Sequence, residues 1–167
     1  MQHLSAIALI TVATTVGAQD FPKLKAGLWQ TTMTSPGREK QEPRVSTLCL
    51  DDSVQQEMYK MSTGMMAGMC SKHDLKVTSN KITAEAVCDL SGSKMQSKSV
   101  MTLTGSSAYR TEVHATFDPP MNGLKESTTI IEGKHISACK PGQQPGDMTL
   151  PTGQTMNIRQ MMGRKGS

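Results

Sequence analysis

Alternation of apolar and polar residues along the chain predicts a protein made mainly of β-strands. From Tyr109 to Phe117 the mainly apolar residues fall on one side and the charged or polar residues on the other, which is the two-residue period of a half-buried antiparallel strand. A turn over 118–123 and a partner strand over 124–132 follow. Other strands are predicted over 26–34, 44–50 and 97–104, with a hairpin between 75–77 and 82–84. Roughly seven or eight strands in a curved antiparallel sheet or small barrel account for this pattern.

One short helix interrupts the strands. Acidic and hydroxyl side chains in Asp51–Ser53 are suited to cap a helix that starts near Val54. We expect this helix to end at about Met61, because Gly64 and Gly68 weaken its extension. The fold class predicted from the sequence is therefore mainly β, with one short Met-rich helix.

The two ends of the chain differ from this alternating middle. Residues 4–16 are mainly apolar and lead to Ala18, a small residue that signal peptidase accepts, so we predict a signal peptide over 1–18. The run is shorter than the roughly 20 residues that cross a bilayer, so we expect export to the periplasm without a membrane span. Removing 18 of 167 residues leaves 149, enough for a single β-rich domain over 19–140. The Pro- and Gly-rich segment 141–167 is predicted to be a loop that ends in a fraying terminus.

Four cysteines predict two disulfides. An even number suits an exported protein, and the absence of a Cys-x-x-Cys pair argues against a zinc site. We predict the pairs Cys70–Cys88 and Cys49–Cys139, because the first flanks the hairpin and the second ties an early strand to the last. The hairpin register sets Ser71 rather than Cys70 opposite Cys88. This pairing therefore requires a β-bulge in the strand that follows Cys70.

Charge and aromatic content argue against a nucleic-acid partner. The formal net charge is +4, and the chain has two Phe, two Tyr and one Trp. Positive residues are scattered among acidic ones rather than gathered in runs, which is typical of a solvated surface. Proteins that bind single-stranded nucleic acid stack bases on aromatic rings, and this chain has few to offer.

Methionine is the most unusual part of the composition, with 14 residues in the chain. Five crowd into the predicted helix and the residues after it, and four of these recur at helical spacing. Flexible, apolar thioethers either fill a core or, together with Trp29, form a surface for a small apolar ligand or a protein partner. The alternative ligand is Cu(I), a soft ion that thioethers bind. The candidate ligand surface is Met58, Met61, Met65, Met66, Met69 and Trp29, and the candidate Cu(I) ligands are Met58, Met61, Met65 and Met69.

No sequence motif supports a catalytic activity. Ser91 and Lys94 match Ser-x-x-Lys, in which the lysine activates the serine, but the companion motifs of that chemistry are missing and a turn is favoured. The histidines of the predicted mature chain, His73, His114 and His135, do not have zincin spacing. We predict no cofactor. A hydrolase with an unrecognised site stays an alternative.

Short motifs in a fixed order resemble a known family. Gly27-Leu28-Trp29 follows the predicted signal peptide, cysteines flank the Met-rich stretch, and Gly133 precedes Cys139 and Pro145-Gly146-Asp147-Met148. Together these residues resemble the domain of unknown function 3617 family over nearly the whole mature chain. The resemblance implies a small secreted proteobacterial protein with no established activity and no catalytic residues to transfer.

These observations combine into one functional hypothesis. We interpret the chain as a periplasmic binding or interaction module without catalytic activity. In this interpretation the concave side of a curved sheet, closed by the Met-rich segment, holds an apolar ligand or partner segment. A Met-rich Cu(I) carrier and a hydrolase are the two alternatives.

Overall fold

A computed structural model describes residues 21–37 and 42–163, so the predicted signal peptide lies outside the described residues. Within them, strands and helices follow one another along the chain. Their bounds are β1 (Gly27–Thr34), β2 (Arg44–Leu50), α1 (Asp52–Met69), β3 (Cys70–Val77), β4 (Lys81–Leu90), β5 (Ser93–Thr104), β6 (Ala108–Met121), β7 (Leu124–Ser137), β8 (Asp147–Thr149), β9 (Thr155–Asn157) and α2 (Ile158–Gly163). All nine strands form one antiparallel sheet in the order β3-β4-β5-β6-β7-β1-β2-β8-β9.

The predicted mainly β fold class is confirmed, as one open sheet with β3 and β9 at its two ends rather than a closed barrel. Several strands are longer than predicted: β6 continues to Met121, and the turn expected over 118–123 shrinks to Asn122-Gly123. These two residues have φ of 50° and 78°, as a two-residue hairpin turn requires. Ser91-Gly92, with φ of 53° and 85°, forms a similar turn between β4 and β5. The serine of the Ser-x-x-Lys match therefore lies in a turn, as predicted, and its lysine lies in β5.

The C-terminal segment, predicted to be a Pro- and Gly-rich tail without regular structure, joins the sheet in its described part. The Cys49–Cys139 disulfide brings the chain back to β2, where Met148 of β8 lies opposite Leu48. Strand β9 and helix α2 follow, and Ile158 is only 8% exposed. The expected loop is thus corrected to two short strands and a helix. Strands of three residues give no alternating signal, and tertiary pairing with β2 creates them.

Helix α1 is longer than the sequence predicts, since it runs through both glycines to Met69. Its start is as predicted: Asp51 is the N-cap, and its Oδ1 accepts a hydrogen bond of 2.8 Å from the Val54 N–H. Its end is fixed by tertiary structure, because the next residue, Cys70, is bonded to Cys88 of β4. The low helix propensity of Gly64 and Gly68 predicts an earlier end, but the disulfide from Cys70 to β4 outweighs it. No helix among the described residues is long and apolar enough to cross a membrane.

Both disulfides join the predicted pairs, Cys49 to Cys139 and Cys70 to Cys88. Strands β3 and β4 pair in the predicted register near their turn, and the ladder shifts between Cys70 and Lys72. This shift is the bulge that the second pair requires, and it places the two cysteines opposite each other. The described part of the chain has no free cysteine.

The main core lies where β1 and β2 meet the start of α1 and the helix α2. Its buried centre consists of Trp29, Leu50, Val54 and Ile158. The Trp29 ring stacks on Tyr109 with the ring centroids 5.8 Å apart. A Cβ at Gly133 would overlap the Tyr109 ring. This glycine, one of the residues that carry the family resemblance, therefore makes room for the aromatic stack.

Candidate functional site

A cleft of about 220 Å³ lies between helix α1 and the strands β3 to β6. We call it the α1 cleft, and the sheet face that lines it the inner face. The helix and the sheet that bound it belong to one folded unit. Their facing surfaces are mainly apolar but leave this space open between them. The apolar lining consists chiefly of Phe21, Tyr59, Met66, Leu75, Ile82 and Met101.

The helix wall of the cleft is fastened to the segment that precedes β1. Cleft-lining residues of α1 are three or four positions apart, which places them on one helical face. The rings of Phe21 and Tyr59 stack with centroids 4.1 Å apart. Gln55 donates from Nε2 to the Pro22 carbonyl at 2.9 Å and accepts at Oε1 from the Leu24 N–H at 3.2 Å. These bonds hold the aromatic ring of Phe21 against the helix as part of the cleft wall.

Strand register assembles the sheet wall. Ile82 of β4 lies opposite Met101 of β5, which lies opposite Thr111 of β6. One step along, Leu75 of β3 lies opposite Ala84 of β4. Directly paired residues of neighbouring strands point to the same face, so these side chains form one surface under the helix.

Thr111 is the exception in this surface. The residue is 8% exposed, and its Oγ1 is the one buried side-chain nitrogen or oxygen in the described chain without a hydrogen-bond partner. Leaving a buried hydroxyl unpaired costs about 1–3 kcal/mol. The wall of the mainly apolar cleft therefore contains one buried hydrogen-bonding group that the described part of the chain does not use.

Asp74 and Glu85 also border the cleft. They pair with each other one residue along from Leu75 and Ala84, so their side chains point to the opposite face of the sheet, where both carboxylates are ion-paired. Lys72 Nζ lies 3.1 Å from Asp74 Oδ2, and Lys98 Nζ lies 3.4 Å from Glu85 Oε1. The Asp74 carboxylate raises the pKa of Lys72 through this hydrogen bond and its charge. No lysine or arginine is among the described residues that line the cleft. Nor does the described chain contain a group of three His, Cys, Asp or Glu residues that could hold a metal ion.

The predicted ligand surface is divided by the structure. Met66 lines the α1 cleft, and its Sδ lies 3.8 Å from Cys70 Sγ. Trp29 is 2% exposed and belongs to the core instead. The remaining four methionines lie on an exposed side of α1, with exposed fractions from 37% to 55%. We call them the Met stripe, which consists of Met58, Met61, Met65 and Met69.

Most of the cleft was not identified from the sequence. The methionine pattern indicated the correct helix but drew attention to its exposed side. A usable signal did exist for Thr111, because the alternation in β6 places this polar residue on the mainly apolar side of the strand. No comparable signal marks Phe21, whose position depends on hydrogen bonds between Gln55 and distant backbone groups.

Comparison with known proteins yields one match. Residues 24–139 match the family described as "Protein of unknown function (DUF3617)". This range contains the disulfides and nearly all of the α1 cleft, whereas β8, β9 and α2 lie beyond it. Neither a protein with curated annotation nor a solved structure matches the chain.

Proposed function

We propose a function from the geometry of the α1 cleft. The chain belongs to the DUF3617 family, and the description of that family names no activity. In this proposal the protein is an exported, periplasmic binding module that holds a small apolar ligand between α1 and the inner face of the sheet. Two disulfides suit the oxidising compartment that the proposal requires.

The observation that carries the proposal is the cleft itself. A helix laid on the inner face of a sheet normally buries that face completely, because protein interiors are close-packed. Here a space of about 220 Å³ stays open between them. Small-molecule sites are typically apolar clefts with few polar groups, and the α1 cleft has this character. Its size favours a small molecule over a folded protein segment.

Native mass spectrometry of the protein purified from periplasm tests the proposal. We expect a non-covalent adduct of lipid-like mass that disappears on denaturation. Ala84→Phe fills the cleft from the sheet wall, and this variant should lose the adduct. Ala67→Phe is the matched control, because Ala67 is exposed on α1 and does not line the cleft. Wild-type protein without an adduct, or an equal adduct in Ala84→Phe, would contradict the proposal.

Exposure of the Met stripe favours one alternative, a Cu(I) carrier. Its thioethers are accessible and lie three or four residues apart along α1, so pairs of them are close enough to bind one soft ion. Replacing all four by Leu nearly conserves volume and should leave folding and the cleft ligand unchanged. Competition with a colourimetric Cu(I) chelator decides between the functions. We expect the chelator to remove Cu(I) equally from the wild-type protein and from the variant with four Leu substitutions. If the wild-type protein retained Cu(I) and the variant did not, the result would favour the carrier.

A further inference from the structure

We infer that the ligand of the α1 cleft is a short single-chain amphiphile whose polar group is neutral and hydrogen-bonds to the Thr111 hydroxyl. This inference rests on the proposed function, since it assigns a chemical class to the ligand of the same cleft. An alcohol, an ester or an amide has the required kind of group, whereas a free carboxylate or a phosphate does not.

Thr111 is the first argument. Thr111 lines the mainly apolar cleft, and its hydroxyl is shielded from solvent and lacks a partner in the described chain. Valine has nearly the same shape and would avoid the cost of an unpaired polar atom. A ligand that supplies the missing hydrogen bond removes this cost in the bound state. Rotation of the side chain between staggered positions about its Cα–Cβ bond turns the hydroxyl toward such a ligand.

The charges around the cleft are the second argument. The lining contains no lysine or arginine. Its one basic side chain is that of His73, which lies on the same face of β3 as Leu75. An anionic head group that entered the cleft would lose its hydration without a lysine or arginine to pair with, which is strongly unfavourable. A neutral polar group loses less and recovers a hydrogen bond from Thr111. The charge pattern therefore selects neutral over anionic amphiphiles.

Volume limits the length of the part that is bound. The cleft measures about 220 Å³, and one water occupies about 30 Å³ in the liquid. Room for about seven or eight non-hydrogen atoms follows from this ratio. A chain of that length fits inside, and a longer chain extends out of the open side.

Three probes with seven carbons each test the inference: 1-heptanol, heptanoate and toluene. The protein is labelled with ¹³C at its methionine methyl groups, so Met66 and Met101 report from the cleft walls and Met65 reports from the exposed side. We expect 1-heptanol and toluene to shift the first two signals and not the third. Heptanoate at neutral pH should bind at least about tenfold more weakly than 1-heptanol.

Variants of Thr111 then isolate the hydrogen bond. Thr111→Val should weaken the binding of 1-heptanol by about two- to tenfold and leave the binding of toluene unchanged. Thr111→Ser keeps the hydroxyl and should bind 1-heptanol as the wild-type protein does. If neither 1-heptanol nor toluene shifts the cleft signals, the proposed function itself is wrong. If both bind but Thr111→Val weakens neither, or heptanoate binds as well as 1-heptanol, the inference is wrong and the binding function stands. The heptanoate comparison needs only wild-type protein and decides the matter even if Thr111→Val does not fold.

Discussion

The first and the last turn of helix α1 are attached to the rest of the molecule in different ways. In the first turns Val54 is 0% exposed, and Arg159 of α2 donates from Nε to Glu57 Oε2 at 2.9 Å. The Glu57 carboxylate raises the pKa of the Arg159 guanidinium. In the last turns Met65 is 55% exposed, and the attachment is the covalent bond from the neighbouring Cys70 to β4.

This difference explains how a cleft survives beneath a helix. Packing holds the first turns, and packing requires that the space below them be filled. A disulfide holds the other end without filling anything, so the sheet beneath that half can keep an open apolar surface. Attachment of the helix and filling of the space below it are therefore separated along α1. The α1 cleft lies under the middle of the helix, from Tyr59 to Met66, between the packed first turns and the covalently attached end.

The largest expected effect on stability comes from removing each disulfide, and this tests the comparison between the two ends of α1. The Cys49–Cys139 pair joins residues 90 apart, and replacing both by Ala should lower the free energy of unfolding by about 4–5 kcal/mol. The Cys70–Cys88 pair joins residues 18 apart, and the same change should cost about 3 kcal/mol. Urea unfolding of the two double variants measures both values.

Hydrogen exchange distinguishes the local roles of the two disulfides. Loss of Cys70–Cys88 should speed amide exchange over residues 62–69, because the last turns of α1 lose their attachment. Loss of Cys49–Cys139 should leave exchange there slow, since that bond lies at the β2 end of the sheet. Equal exchange in the last turns of both variants would show that the helix is not held in the way described.

The sequence predicted the local strand pairings and both disulfides, but not the pairing of the C-terminal segment with β2. The Leu75–Ala84 pairing of the β3–β4 hairpin was predicted because its two strands are neighbours in sequence and their apolar residues alternate. Strand β8 was not predicted, because three residues form a strand only where Leu48 and the adjoining disulfide bring a partner to them. For the cleft, the sequence predicted a sheet face closed by the Met-rich helix, but it did not identify the residues of the sheet that line it. Alternation in β6 marks Thr111 as a polar residue on the mainly apolar side of the strand, but only the structure shows that its hydroxyl is buried without a partner.

Two substitutions in α1 compare its two halves directly. Val54→Ala removes apolar volume from the core and should cost about 2 kcal/mol of unfolding free energy. Met65→Ala changes an exposed side chain and should change stability by less than about 0.5 kcal/mol. Thermal or urea unfolding compares the two. A cost for Met65→Ala as large as that for Val54→Ala would mean that the Met stripe is buried in solution, for example against a second copy of the chain.

The N-cap of α1 makes the attachment of its first turn dependent on pH. The hydrogen bond from the Val54 N–H lowers the pKa of Asp51. A lowered folded-state pKa means that the charged cap stabilises the fold above the unfolded pKa of about 3.9, and this stabilisation is lost as pH falls through the folded value. Asp51→Ala should therefore cost about 1 kcal/mol at pH 7 and less at pH 2. Asp51→Asn keeps a capping side chain and should be nearly neutral at pH 7. If Asp51→Ala lowered the free energy of unfolding equally at pH 7 and at pH 2, the stabilising role of the charged N-cap would be contradicted.

The smallest expected effect concerns the two glycines in the last turns of α1. A Cβ at Gly64 or Gly68 would meet no heavy atom within 4 Å, so Ala fits at either position without a clash. Alanine is the better helix former, and each change should raise the free energy of unfolding by about 0.5–1 kcal/mol. Gly105→Ala is the matched control, because its surroundings are equally open but its φ of +57° is unfavourable for Ala and should make that change destabilising. If Gly64→Ala and Gly68→Ala also destabilised the protein, these turns would not be helical in solution, and the covalently attached half of α1 would need another description.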